Sequence, residues 1–235
     1  MEGRSFLGIQ TALKLAYKGS TIAKSNPPWA QYLLAEPIVA FVRFGKWNDI
    51  LSLPEPDTSL LYSQIMFHFG RGLASIRTNN LESAAEELTK LDSLCKSKTL
   101  ESFYFSFNPA SQIVKIPMNI LRGELLLKQN KVEAGLAALS DAIKSEEDLR
   151  YNEPPDWKIP SRHFLGAALV NAGRFEEAEK IYLEDLKKNP ENGWSLTGLI
   201  QCQSKLGKKS EMAASAKRFA KAWKNSDIAL TSSIF

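Results

Sequence analysis

Gly72 is followed seven residues later by Asn79, Gly123 by Asn130, and Gly166 by Gly173, each a residue suited to a left-handed turn. Asn tolerates positive φ better than any residue except Gly, so Asn79 and Asn130 can make the tight turn that Gly173 makes. Gly45 stands 34 residues before Asn79, and Gly207 stands 34 after Gly173. A period of this size predicts stacked helix pairs, because one pair cannot bury its apolar face without its neighbours. The interval grows to 51 residues from Asn79 to Asn130 and to 43 from Asn130 to Gly173. The spacing inside each pair is constant, so the extra residues fall between pairs, at 97–115 and 145–159, where Pro, Asn and Ser cluster.

Apolar periodicity places helices near 29–44, 47–53, 61–78, 81–96, 116–129, 131–145, 160–172, 175–188, 193–206 and 209–224. In the clearest of them Phe175, Ala178, Ile181, Tyr182 and Leu186 share one face, with Glu176 and Lys180, and Glu184 and Lys188, spaced for i,i+4 pairing on the other. Each such pair contributes only about 0.2–0.5 kcal/mol, so packing between helices must hold the fold.

The run Arg162-His163-Phe164-Leu165-Gly166, followed by Leu169, Gly173, Ala178, Tyr182 and Pro190, resembles the tetratricopeptide repeat, and Trp194 and Gly198 open the next unit at the expected separation. Arg162 departs from the pattern, which has Trp there. Residues 145–199, with Tyr151-Asn152-Glu153-Pro154-Pro155-Asp156-Trp157 and Asn189-Pro190-Glu191-Asn192-Gly193-Trp194, look like a block found in long bacterial tetratricopeptide-repeat proteins of uncharacterised function. The resemblance implies an all-α, right-handed α-solenoid of about five helix pairs, with residues 1–235 as a single domain. It also implies a binding scaffold and supplies no catalytic residue. The opening Gly3-Arg4-Ser5-Phe6-Leu7-Gly8, with Ala12 and Leu15, reads as the second half of a repeat. The chain is therefore expected to be a fragment starting mid-repeat or to be completed by another chain; an irregular capping helix is the alternative.

In the tetratricopeptide frame the inward positions of the first helices are Met66, Phe69, Leu73 and Ile76; then Ile120, Glu124 and Leu127, after Pro117; then His163, Ala167 and Val170, after Pro160. These are the expected partner-binding residues. They form a mostly apolar trough for a protein or peptide and lack the Lys, Asn and Arg set of a clamp for acidic tails. The insertions carry Phe103, Tyr104, Phe105, Phe107, Tyr151 and Trp157. Such rings either fold onto the trough as a satellite core or gate a small apolar ligand, which would make the chain a sensor. Self-association through the N-terminal helix is a third expectation.

Thirty basic against twenty-six acidic residues leave a net charge of +4, too small to announce nucleic acid. The one basic stretch has Lys205, Lys208, Lys209, Lys217, Arg218, Lys221 and Lys224 against Glu211, with Phe219 and Trp223 among them. It is read as a solvated capping helix. The most apolar stretch, 33–44, is cut by Glu36 and Arg43 and falls short of the roughly 18 residues a membrane crossing needs. No export signal is legible, so the cytoplasm is the default compartment, undecided if the chain is truncated. Cys95 and Cys202 form no C-x-x-C and have no His at ligand spacing, so neither metal nor cofactor is expected. G-x-S-x-G, H-E-x-x-H, P-loop and G-x-G-x-x-G patterns are missing, and catalysis is not expected. His68 is read as a packed or surface histidine and His163 as a trough contact rather than a general base.

Overall fold

Five turns of one kind organise the chain. Gly45, Asn79, Asn130, Gly173 and Gly207 have φ of 64°, 61°, 59°, 74° and 70°. In each case the amide of the following residue bonds to the carbonyl five residues back: Lys46 to Phe41, Asn80 to Ser75, Lys131 to Leu126, Arg174 to Leu169 and Lys208 to Gln203, all at 2.8–2.9 Å. This closure satisfies carbonyls that a helix end would otherwise leave open, and it demands a residue that accepts the left-handed conformation. All five turn residues expected from spacing adopt it; Gly3 and Glu191 also have positive φ, outside this pattern.

The computed structural model describes residues 2–23 and 27–235. The chain is all-α; among the described residues the sole β feature is one antiparallel bridge between Tyr104 and Pro109. It forms two compact units, one of residues 8–159 and the other of residues 160–235 together with the residues up to Leu7. In chain order the helices of the first part are α1 (Ser5–Ile22), α2 (Pro27–Leu34), α3 (Glu36–Arg43), α4 (Trp47–Leu51), α5 (Leu61–Arg77) and α6 (Leu81–Cys95). They continue as the single-turn α7 (Ala110–Ile113), then α8 (Lys115–Lys128) and α9 (Val132–Glu147). The smaller unit holds α10 (Ser161–Asn171), α11 (Phe175–Lys188), α12 (Gly193–Lys205) and α13 (Lys209–Ala222). Helices adjacent in sequence pack as pairs: α3 with α4, α5 with α6, α8 with α9, α10 with α11, and α12 with α13.

The helix expected over 29–44 is two helices. Pro37 occupies the first turn of α3, where a residue without an amide proton is harmless, whereas inside one long helix it would remove a bond and clash with the preceding turn. The insertion at 97–115 is partly helical too, with a 3-10 turn at Lys98–Glu101 followed by α7.

The glycines seven positions before the turns are points of close approach. A Cβ on Gly72 would lie 2.5 Å from the Leu121 side chain, and one on Gly123 would lie 2.7 Å from Leu139. In the larger unit Ile65, Phe69, Leu73, Leu91, Ile113 and Ile120 are fully buried. Each such side chain contributes roughly 1.5–3 kcal/mol relative to exposure. Buried charge there is paired. The Nδ1 of His68 lies 2.6 Å from Glu87, which also accepts from Arg71 Nε at 3.2 Å. Burial alone would raise the Glu87 carboxyl, but the hydrogen bonds from His68 and Arg71 outweigh it and hold it below the ordinary range.

Candidate partner-binding site

The residues expected to line an open trough are in the core. Phe69, Leu73, Ile76, Ile120 and His163 are fully buried, Met66, Ala167 and Glu124 nearly so, and Leu127 and Val170 half-buried. The expectation of an accessible apolar groove built from these positions is therefore corrected: the first eight offer no free surface. In the larger unit an insertion covers Phe69. Trp157 lies edge-on to Phe69 with ring centroids 5.7 Å apart, and its indole nitrogen donates to the Ile159 carbonyl at 2.5 Å. Phe105 packs against Tyr62 and Tyr32, with centroids at 4.5 and 4.9 Å. Glu124, the one charge expected in the trough, pairs with Arg77 at 2.7 Å, and that guanidinium also lies over the Trp47 ring.

A polar staple joins the two insertions. The Asn108 amide donates from Nδ2 to the Arg150 carbonyl at 2.9 Å and to the Asp156 carboxylate at 2.7 Å, while its Oδ1 accepts from the Arg150 amide at 2.8 Å. Asn152 donates to the other Asp156 oxygen at 2.9 Å. Asn108 and Asp156 are buried, where an unpaired polar group would be costly, so the reciprocal bonding fixes both loops. Lys158 completes the seat by pairing with Glu36 and lying 4.8 Å from the Tyr32 ring centroid. Sequence reasoning missed this staple; a lone Asn between Phe107 and Pro109 carries no pattern that marks it.

The rings beside the staple remain outside. Tyr104 is 50% exposed, Phe107 59% and Tyr151 80%. Phe107 precedes Asn108 and Tyr151 follows Arg150, so the Asn108–Arg150 bonds bring the two exposed rings into one neighbourhood. The aromatic residues of the insertions thus divide. Phe105 and Trp157 are core, whereas Tyr104, Phe107 and Tyr151 are surface.

In the smaller unit His163 belongs to a buried knot. Its Nε2 lies 3.2 Å from Asp185 Oδ2 and 2.8 Å from the Asn192 side-chain nitrogen. Asp185 also accepts from Ser195 Oγ at 2.5 Å, from Asn192 at 3.0 Å and from Asn189 at 3.0 Å. Burial works to raise the Asp185 carboxyl, but His163, Ser195 and Asn189 together hold it down at about 2. Although serine, histidine and aspartate are all present, the serine hydroxyl donates directly to the carboxylate and not to the imidazole. The arrangement locks the start of α12, where Asn192 Oδ1 accepts from the Trp194 amide at 3.2 Å.

Other chemistry is muted. Burial pushes the Cys95 and Cys202 thiols up to about 12, so neither is a ready nucleophile. Among the described residues no group of three His, Cys, Asp or Glu side chains is placed to hold a metal ion, and no helix is long and apolar enough to cross a membrane. No family model, curated protein or solved structure matches this chain.

Proposed function

We propose that this chain is a protein- or peptide-interaction module of tetratricopeptide type, whose larger unit meets its partner through the aromatic rim of its insertions rather than through an open trough. The observation that carries this reading is the exposure of Tyr104, Phe107 and Tyr151 beside the buried Asn108–Asp156 staple. Aromatic residues are enriched in the centres of protein interfaces, and rings on a rigid base lose little conformational freedom when a partner covers them. The ligand-enclosing alternative draws no support from the packing, because Phe69, Tyr62 and Tyr32 meet the loop rings directly.

The test is affinity capture with the tagged chain under native conditions. Replacing Phe107 and Tyr151 with Ser should abolish capture of the partner while leaving helical circular dichroism intact; undiminished capture rejects the rim. Phe69→Glu is no test of binding, because it places a charge in a fully buried site and unfolds the unit. Self-association through α1 is the second reading, favoured by Phe6 and Tyr17, which are 72% and 73% exposed. Light scattering over a concentration series rejects it if the mass stays that of one chain.

A further inference from the structure

The smaller unit carries a non-helical stretch of its own chain against α10, α11 and α12. After α13, residues 228–235 form neither helix nor strand. Ile228, Leu230 and Ser232 are partly buried while Ala229 and Thr231 are exposed, and bends at 228 and 231–233 turn the chain so that Ser233 is buried. The stretch reads Ile-Ala-Leu-Thr-Ser-Ser-Ile-Phe and bears no charged side chain. Its anchor is Ser233, fully buried, whose hydroxyl donates to the His163 carbonyl at 2.9 Å and lies 2.7 Å from the Tyr182 hydroxyl. Since that serine has one proton and gives it to His163, Tyr182 is the donor in the second bond. Gln201 of α12 donates to the Thr231 carbonyl.

Tyr182 explains why the anchor is there. The residue belongs to α11, and its ring passes between α10 and α12: a Cβ on Gly166 would lie 2.5 Å from the ring, and a Cβ on Gly198 would collide with it as well. Glycine at both positions leaves a slot through which the phenol reaches Ser233. Burial drives the Tyr182 phenol well above its ordinary value, so it stays protonated and able to donate. The slot, the phenol and the His163 carbonyl make a small receptor for one hydroxyl, flanked by surface that accepts aliphatic side chains.

We propose that this face of the smaller unit is a groove for an uncharged peptide segment carrying a serine over Tyr182, and that residues 228–235 fill it in cis until a partner segment of the same pattern displaces them. A tethered occupant acts at an effective concentration in the millimolar range, and a groove open about 1% of the time binds an outside peptide about 100-fold more weakly than a free one. This groove is separate from the aromatic rim and uses different residues.

The experiment measures fluorescence anisotropy of a labelled peptide Ile-Ala-Leu-Thr-Ser-Ser-Ile-Phe, with a lysine tag for solubility, against the full chain. Leu230→Glu puts a charge at a partly buried position of the cis segment and should release it. The variant chain is expected to bind the peptide at least about tenfold more tightly than the unaltered chain. Adding Tyr182→Phe, which keeps the ring in its slot, should weaken that binding, as should a peptide with valine in place of its second serine. Equal affinity of the unaltered and Leu230→Glu chains overturns the proposal, and so does equal binding of the serine and valine peptides. If circular dichroism finds Leu230→Glu unfolded, Ser233→Ala serves as the releasing variant with the same two criteria. Failure here leaves the rim standing, since capture through Phe107 and Tyr151 is read separately.

Discussion

At the residue scale the least replaceable polar side chain of the smaller unit is Asp185, which accepts hydrogen bonds from three side chains and faces His163. Its carboxyl drops from an ordinary 3.8 to about 2 in the folded chain. A group held below its unfolded value contributes stability that is complete above about pH 4 and is lost as pH falls toward 2, worth roughly 2 kcal/mol here. Asp185→Asn should therefore cost about 2–4 kcal/mol in urea unfolding at pH 7, since its partners are left buried with a weaker acceptor. The gap between the two chains should narrow at pH 3. An equal gap at both pH values would mean that the carboxylate charge is not what holds the knot. Nothing in the sequence pointed to this role: Asp185 sits on an amphipathic helix among Glu184, Lys187 and Lys188, and its partners are 22 residues upstream and 10 downstream.

At the element scale the turns and the close-approach glycines separate two costs that both look like a glycine requirement. Gly173 has φ of +74° and open space around any added Cβ, so Gly173→Ala costs backbone strain alone, about 1 kcal/mol. Gly173→Asn should cost less, because Asn79 and Asn130 hold the same conformation. Gly166 is helical, where alanine is intrinsically favoured, yet its Cβ would press on the Tyr182 ring, and overpacking of this kind costs about 1–3 kcal/mol. Thermal melts should rank Gly166→Ala below Gly173→Ala below Gly173→Asn, with steps of a few degrees. If Gly173→Asn melts with Gly173→Ala, the left-handed requirement is not the reason for glycine there. The five turns were legible in the sequence because so few residue types accept positive φ. The insertions were not, because what folds them is a bond between residues 48 apart, Asn108 and Asp156, with no local signature. The trough positions sit on the first helices of their pairs, but no spacing rule foretells that Trp157 comes back to cover Phe69.

At the scale of the whole molecule, charge decides which partners are attractive at a distance. A surplus of four positive charges over 235 residues gives little steering toward nucleic acid, so binding would depend on the basic stretch around α13 and its aromatic residues. Two of these cations and the aromatic pair are engaged internally. Lys208 pairs with Glu179 at 2.5 Å, and Arg218 pairs with Glu191 at 3.0 Å, within reach of the cations that a phosphate chain would need. Single strands are held by stacking bases on free aromatic faces. Here Phe219 and Trp223 stack on each other with centroids 5.5 Å apart, Trp194 meets Trp223 edge-on at 4.7 Å, and the Trp223 indole donates to the Ile228 carbonyl at 2.9 Å. Opening that cluster to admit bases would cost its aromatic contacts, about 0.5–1.5 kcal/mol per pair, before any base stacked. The expected outcome is that a labelled 20-nucleotide single strand binds more weakly than about 100 μM at 150 mM salt, the range of nonspecific electrostatic association. Micromolar binding that survives this salt and falls on Trp223→Ala would show that the cluster opens, and would move the partner from protein to nucleic acid.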